Sequence, residues 1–131
     1  MKLHLKIINL DKEYFNGEVD LLNINTSAGE LTILANHLPI ITNIKVSHMY
    51  TINDKETTDY AIAGGTLFVN EEECKIITNA IESADEINEE RANASKIRAE
   101  ERINESSETI DMARAEASLK RAINRLSLLK K

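Results

Sequence analysis

The sequence predicts a protein of the β plus α class, in which an N-terminal antiparallel β-sandwich or barrel precedes a C-terminal antiparallel hairpin of two helices. Two observations support this prediction. All four glycines, the only proline and all five aromatic residues lie before residue 82, whereas all six arginines lie after it. Turn signals separate short apolar runs before this break, and no glycine or proline follows it. We therefore predict one domain over residues 1–83 and a second over residues 84–131.

The first domain is predicted to consist of short strands. Residues 3–8 and 21–25 alternate apolar and polar side chains, as a strand with one buried face must. Residues 47–52 and 57–62 flank a polar turn and predict the clearest hairpin. Turn-forming residues recur at Asn16-Gly17, 27–30, 53–56, Gly64-Gly65 and 70–73. Turns at such short intervals are typical of a sandwich or barrel.

The second domain is predicted to form two helices, because Ala, Glu, Arg, Lys, Leu and Ile dominate it. Residues 104–108 contain Asn and Ser, which compete for backbone hydrogen bonds, so we place the turn there. The predicted face of the first helix carries Ala84, Ile87, Arg91, Ala94 and Arg98. The predicted seam of the second carries Ala115, Leu119, Ala122, Leu126 and Leu129. Since alanine buries little apolar surface, we expect a weakly docked and displaceable hairpin.

Composition argues against several classes of function. The net charge of −6 disfavours a general nucleic-acid binder, because neutralising phosphates needs a basic excess. The single Cys74 cannot form an internal disulfide, and no apolar run reaches the roughly 18 residues of a membrane span. His4, His37 and His48 lack metal-ligand spacing, and no nucleophile–base pair is evident. The sequence therefore predicts a soluble, non-enzymatic protein of a reducing compartment, without a metal site.

The arginines form two stripes with identical spacing, 23 residues apart: Arg91, Arg98 and Arg102, then Arg114, Arg121 and Arg125. Ion pairs with acids three or four residues away would explain half of them as a solvated helix face. However, Arg91, Arg121 and Arg125 have no acid at either spacing. The alternative is that the two stripes meet in the folded hairpin and form an anion site, because guanidinium groups suit phosphates.

Three segments of the chain are distinctive: residues 29–42, which begin Gly-Glu-Leu-Thr-Ile and include His37-Leu38-Pro39; residues 61–69, which include Gly64-Gly65; and residues 90–126. Together they resemble the epsilon subunits of bacterial F-type ATP synthases. Length, segment order and the break near residue 82 match as well. The resemblance therefore covers the whole chain and implies a sandwich followed by a helical hairpin.

The resemblance implies a non-catalytic rotor subunit of the central stalk, which couples ion translocation to ATP synthesis. The implied partners are the gamma subunit, the ring of membrane c subunits and, through the hairpin, the alpha/beta catalytic head, with no nucleic acid. Glu30 and His37 would lie at the rotor interface. The hairpin would switch between a folded form and an extended form that inhibits ATP hydrolysis. The implied location is peripheral, on the cytoplasmic face of the bacterial cell membrane.

Some bacterial members bind regulatory ATP in the folded hairpin through an Ile/Leu-Asp-x-x-Arg-Ala pattern, which here begins Ile87-Asn88. Asn88 replaces the carboxylate with an amide, so the resemblance implies weakened ATP binding and no required cofactor. The implied ATP-binding residues are Glu82, Ile87, Asn88, Arg91, Ala92, Arg98, Arg121 and Arg125. A stand-alone ATP-sensing binding module stays open as the alternative function.

Overall fold

The computed structural model describes residues 1–105 and 109–129, with side chains described over 1–104 and 112–129. The chain divides into two compact units, Met1–Ser83 and Ala84–Lys131. The first contains β1 (Leu3–Asn9), β2 (Lys12–Val19), β3 (Leu21–Thr26), β4 (Gly29–Ile33), β5 (Ile40–Asn53), β6 (Glu56–Val69), β7 (Cys74–Thr78) and β8 (Ile81–Ser83). The second contains a 3₁₀ helix (Ala84–Glu86), α1 (Glu89–Glu105) and α2 (Thr109–Leu129). The predicted fold class is confirmed.

The strands of the first unit follow the order β2-β1-β7-β6-β5-β3-β4, and β8 also pairs with β6. These pairings are antiparallel except that between β1 and β7, which is parallel. The long hairpin of β5 and β6 extends from Ile40 opposite Val69 to Asn53 opposite Glu56. The C-terminal half of β6 pairs with β7, and its middle, from Tyr60 to Ile62, pairs with β8.

A single apolar cluster fills the sandwich. Leu3, Leu5 and Ile7 alternate with more exposed residues along β1, as the sequence pattern predicts for a strand with one buried face. The other strands contribute further fully buried side chains, among them Leu22, Ile24, Ile33, Met49, Ile62, Leu67 and Ile76. Removal of this branched aliphatic surface from water stabilises the sandwich.

Three of the predicted turns are confirmed. The turn between β5 and β6 places Asp54 and Lys55 at positive φ angles of 51° and 70°, the conformation of a two-residue hairpin turn. Residues 27–28 connect β3 and β4. At the turn before β7, Asn70 Oδ1 accepts hydrogen bonds from the backbone N–H groups of Glu72 and Glu73, both at 2.8 Å.

Two predicted turns are wrong. Asn16-Gly17 lies inside β2, opposite Lys6 and Leu5, and the hairpin turn falls instead at Leu10-Asp11, with φ angles of 51° and 64°. Gly64-Gly65 lies inside β6, where Gly65 pairs with Ile44 and Ala63 pairs with Val46 in the same register as the rest of the hairpin. Both glycine-containing pairs therefore lie in the interior of a strand and do not form a turn.

Candidate functional site

The start of α1 is set by Asn88. Its side-chain Oδ1 accepts a hydrogen bond from the backbone N–H of Arg91 at 3.0 Å, and its carbonyl accepts from the N–H of Ala92 at 3.0 Å. This is the geometry of a helix N-cap. Glu89 and Glu90 follow in the first turn, where carboxylates interact favourably with the helix dipole. Asn88 therefore has a structural role at this helix end.

The two helices pack against each other as a hairpin. Only three residues separate α1 from α2, and so short a connection makes neighbouring helices antiparallel. Four alanines are buried, none more than 2% exposed: Ala92, Ala99, Ala115 and Ala122. The predicted seam of the second helix is confirmed, because Ala115 and Ala122 are buried and Leu119, Leu126 and Leu129 are half-buried.

The predicted face of the first helix is wrong. Arg91, Ala94 and Arg98 are exposed, while Ala84 and Ile87 precede α1. The buried stripe runs instead through Ala92 and Ala99. Alanine occurs on opposite sides of this helix, so its position alone does not mark the buried side. The predicted turn begins within α1, to which residues 104 and 105 belong, and residues 106–108 lie outside the described residues.

The helices carry an internal sequence repeat. Residues 91–102 and 114–125 share the pattern Arg-Ala-x-Ala-Ser-x-x-Arg-Ala-x-x-Arg. The repeat extends to side-chain contacts: Arg98 Nη2 donates to Ser95 Oγ at 3.1 Å, and Arg121 Nη2 donates to Ser118 Oγ at 3.2 Å. Equivalent positions therefore form matching Ser–Arg pairs on α1 and α2.

The repeated positions surround a pocket of about 190 Å³ between the helices. Its lining residues are Ser95, Arg98, Ala99, Arg102, Ser118, Arg121 and Arg125. Three repeat-equivalent pairs are among them: the two serines, Arg98 with Arg121, and Arg102 with Arg125. Within the described parts of the chain no carboxylate lines it, so four guanidinium groups make the pocket strongly positive. Such a pocket suits an anion with several oxygen acceptors.

The pocket unites three residues that the resemblance implied as ATP ligands: Arg98, Arg121 and Arg125. Arg102 belonged to the predicted arginine stripe but not to the implied ATP ligands. Sequence reasoning missed Ser95 and Ser118 as lining residues, although the 23-residue repeat was the signal that could have found them. Ile87, Asn88, Arg91 and Ala92 are not among the described lining residues, and Glu82 belongs to β8 in the other unit.

Local ion pairing was the other explanation of the arginine stripes. Between the described side chains Arg98 and Glu101 no ion pair forms, and Arg98 donates to Ser95 instead. The acids expected to pair with Arg102 and Arg114 are residues 105 and 111, whose side chains lie outside the described residues. The described contact of Arg98 therefore favours the pocket over a helical ion pair.

The residues implied at a rotor interface lie in the sandwich. Glu30 is exposed on β4, and its Oε1 accepts a hydrogen bond from Asn23 Nδ2 at 3.0 Å. His37 lies in the segment between β4 and β5, with Nδ1 2.7 Å from the carbonyl oxygen of Leu38. Around it Leu34, Leu38 and Ile41 are 53%, 80% and 73% exposed.

Cys74 and the possible metal-ligating side chains do not form a reactive or metal-binding site in the described residues. Cys74 is fully buried in β7, and burial, assisted by the charge of Glu73, raises the pKa of its thiol to about 12. Its thiolate is therefore scarce at neutral pH. Among the described residues, no group of three or more His, Cys, Asp or Glu side chains could hold a metal ion. Neither described helix is long and apolar enough to cross a membrane.

The fold and the pocket define a class: a β-sandwich joined to a two-helix hairpin with an arginine-lined pocket. Residues 2–84 match the family model described as the ATP synthase delta/epsilon chain beta-sandwich domain. Residues 85–130 match its long alpha-helix domain. The chain therefore belongs to the ATP synthase epsilon chain family.

Relatives named ATP synthase epsilon chain match over nearly their full length. The relative from Clostridium novyi is 38% identical over 126 residues, covering 95% of each chain. The one from Bacillus velezensis is 34% identical over 124 residues, covering 95% of this chain and 94% of the relative.

Two solved structures share the fold. A chain of the Euglena gracilis mitochondrial ATP synthase OSCP/F1/c-ring structure has a TM-score of 0.82 at 20% identity, covering 99% of this chain and 82% of that chain. A chain of the Tetrahymena thermophila mitochondrial ATP synthase central stalk/c-ring structure has a TM-score of 0.67 at 12% identity, covering 98% and 97%. At these identities the likeness concerns the fold alone.

Proposed function

We propose that this chain is a non-catalytic subunit of the central stalk of an F-type ATP synthase, where it couples ion translocation to ATP synthesis. Family membership over both domains is the observation that carries the proposal. The sandwich is the part that attaches to the rotor, through the gamma subunit and the ring of membrane c subunits. The exposed Leu34, Leu38 and Ile41 near His37 supply apolar surface for that attachment, and the exposed carboxylate of Glu30 adds a polar contact.

Through these partners the chain would lie on the cytoplasmic face of the bacterial cell membrane, as a peripheral part of the complex.

The hairpin is proposed to inhibit ATP hydrolysis by extending into the alpha/beta catalytic head. Two properties support this role. Its buried seam is built around four alanines, so separating the helices exposes little apolar surface. Arg91, Arg98, Arg102 and Arg114 are exposed and can pair with an acidic segment of the head. A switch of this kind requires two conformations within a few kcal/mol of each other.

Truncation tests the inhibitory role. We expect the assembled soluble head to hydrolyse ATP faster with a chain that ends at Ser83 than with the full chain, because the extended hairpin can no longer enter the head. Steady-state hydrolysis at matched subunit stoichiometry measures the difference. Co-purification of the truncated chain with gamma is the control for assembly. Equal rates in two fully assembled samples would contradict the inhibitory role.

Regulatory ATP binding in the folded hairpin is a further part of the proposal. The pocket lined by Arg98, Arg121 and Arg125 supports it, since guanidinium groups bind phosphate oxygens. The remaining proposed ligands are Glu82, Ile87, Asn88, Arg91 and Ala92. ATP bound here would stabilise the folded form and so relieve inhibition, by mass action on the state that binds it.

The alternative function, a stand-alone ATP-sensing module, uses the same pocket without the complex. Partner dependence separates the two functions. A rotor subunit co-purifies with a membrane-bound assembly at fixed stoichiometry, whereas a stand-alone sensor is recovered free of gamma. Affinity purification from membranes under mild detergent distinguishes these outcomes.

A further inference from the structure

We propose that Asn23 is a positioning residue, whose buried amide holds the carboxylate of Glu30 in the orientation that meets a cationic group of the rotor partner. The inference rests on the proposed attachment of the sandwich to the rotor through Glu30 and adds a residue that acts on this contact. Asn23 is only 6% exposed, so it acts through Glu30 and does not itself touch the partner.

The strand register brings the two side chains together. Leu22 and Ile24 belong to the apolar cluster, so Asn23 between them points to the opposite face of β3. Asn23 pairs with Thr32 of β4, which places Glu30 diagonally opposite on the same face. The amide nitrogen of Asn23 donates to Glu30 Oε1 at 3.0 Å and to Thr32 Oγ1 at 3.1 Å. Both donors of this amide are therefore in use.

Only one orientation of the Asn23 amide suits these contacts. If the amide were turned over, its oxygen would face the carboxylate of Glu30, and two acceptors repel each other. A hydrogen bond to a charged group is also roughly twice as strong as one between neutral groups. The carboxylate of Glu30 is thus held at one oxygen, whereas an unrestrained glutamate side chain samples several rotamers.

The backbone that carries Glu30 is held in place as well. In the turn directly before it, Thr26 Oγ1 donates to the carbonyl oxygen of Gly29 at 2.8 Å. The backbone N–H of Ser27 donates to the carbonyl oxygen of Asn43 on β5 at 2.9 Å, which ties the same turn to a third strand. The hydrogen bond from Asn23 therefore fixes a side chain whose backbone is already fixed.

The charge of Glu30 is available to a partner. Glu30 is exposed, and among the described side chains no lysine or arginine forms an ion pair with it. A cationic side chain is therefore the complementary group. A carboxylate that is already oriented loses less rotamer freedom on binding than a mobile one, which corresponds to about three- to tenfold in affinity.

The test measures the affinity of the full chain for ATP synthase depleted of this subunit, by titration with a fluorescently labelled chain. We expect Asn23→Ala to weaken binding by about three- to tenfold. Asn23→Val also lacks the donors but suits a strand, so it should weaken binding to the same degree. Thermal melts verify that each variant is folded. Binding of both variants as tight as that of the unmodified chain would overturn the inference.

A double-mutant cycle separates positioning from a merely structural role. Since Asn23 acts through Glu30, Asn23→Ala should cause no further loss of affinity once Glu30→Ala has removed the carboxylate. An equal loss in both backgrounds would overturn the inference. No loss from Glu30→Ala alone would overturn both the rotor contact of Glu30 and the inference. Failure of the unmodified chain to bind the depleted complex would instead overturn the proposed function.

Asn25→Ala is the matched control. It removes an amide from the same strand and the same face, but this amide donates to the carbonyl oxygen of His48 at 3.1 Å. We expect its affinity to stay within about twofold of the unmodified chain, because the hydrogen bond to Glu30 is intact. A loss as large as that caused by Asn23→Ala would overturn the specific role of Asn23.

Discussion

At Gly65 the backbone of β6 comes so close to β7 that no side chain fits. A Cβ atom there would overlap the carbonyl oxygen of Ile77, and the φ angle of 145° is one that residues with side chains rarely adopt. A glycine pair is ordinarily a turn signal in sequence, which is why the sequence predicted a turn here. The close approach depends on a strand distant in sequence, so local residues alone could not reveal it.

Two glycine substitutions separate backbone strain from steric overlap. Gly65→Ala should lower the free energy of unfolding by about 3 kcal/mol or more, because strain and overlap act together. Gly29→Ala is the control: its φ angle is 111° but nothing lies within 4 Å of the added Cβ, so about 1–2 kcal/mol is expected. Urea denaturation followed by circular dichroism measures both. If Gly65→Ala lowers the free energy of unfolding less than Gly29→Ala does, β7 moves to accommodate the new side chain.

At the scale of elements, sequence predicted which segments are strands or helices better than which faces they bury. The strand β1 and the seam of α2 were predictable, because branched aliphatic residues mark the buried side. The buried face of α1 was not, because Ala92 and Ala94 are chemically identical and only one is buried. The pocket was half predictable: arginine spacing indicated an anion site, but the serine contacts depend on how the helices pack.

The N-cap of α1 gives a prediction at the same scale. Asn88→Ala should lower the free energy of unfolding of the hairpin by about 0.5–2 kcal/mol, because the N–H of Arg91 loses its acceptor. Asn88→Asp should preserve stability, since aspartate also caps and its charge suits the helix dipole. Asn93→Ala, at an exposed interior position of α1, serves as the control and should not destabilise the helix. Thermal melts at 222 nm measure all three, and a wild-type melt for Asn88→Ala would contradict the capping role.

At the scale of the whole molecule, the two units bury different kinds of side chain. The sandwich buries fully enclosed Leu, Ile and Met side chains, whereas the hairpin buries mainly alanine and a single leucine, Leu128, among its described residues. Family membership was predictable from sequence because it rests on many positions along both units. The difference in packing implies a difference in local stability between them.

Amide hydrogen exchange on the full chain measures that difference. We expect amides of α1 and α2 to exchange faster than those of β1, β5 and β6, because opening the hairpin exposes less apolar surface than opening the sheet. The exposed ends of each element provide an internal reference for unprotected exchange. Protection in the hairpin equal to that in the sheet would contradict a displaceable hairpin.

The alanine seam also has a calorimetric consequence. The heat-capacity change of an opening reaction grows with the apolar area it exposes, and alanine contributes little area. Separation of α1 from α2 therefore has a small heat-capacity change, and its free energy varies with temperature with little curvature. The sandwich, with its larger aliphatic core, has the strongly curved stability profile of an ordinary domain. Salt and anions, which screen or neutralise the arginines, supply a second control on the hairpin that does not depend on apolar area.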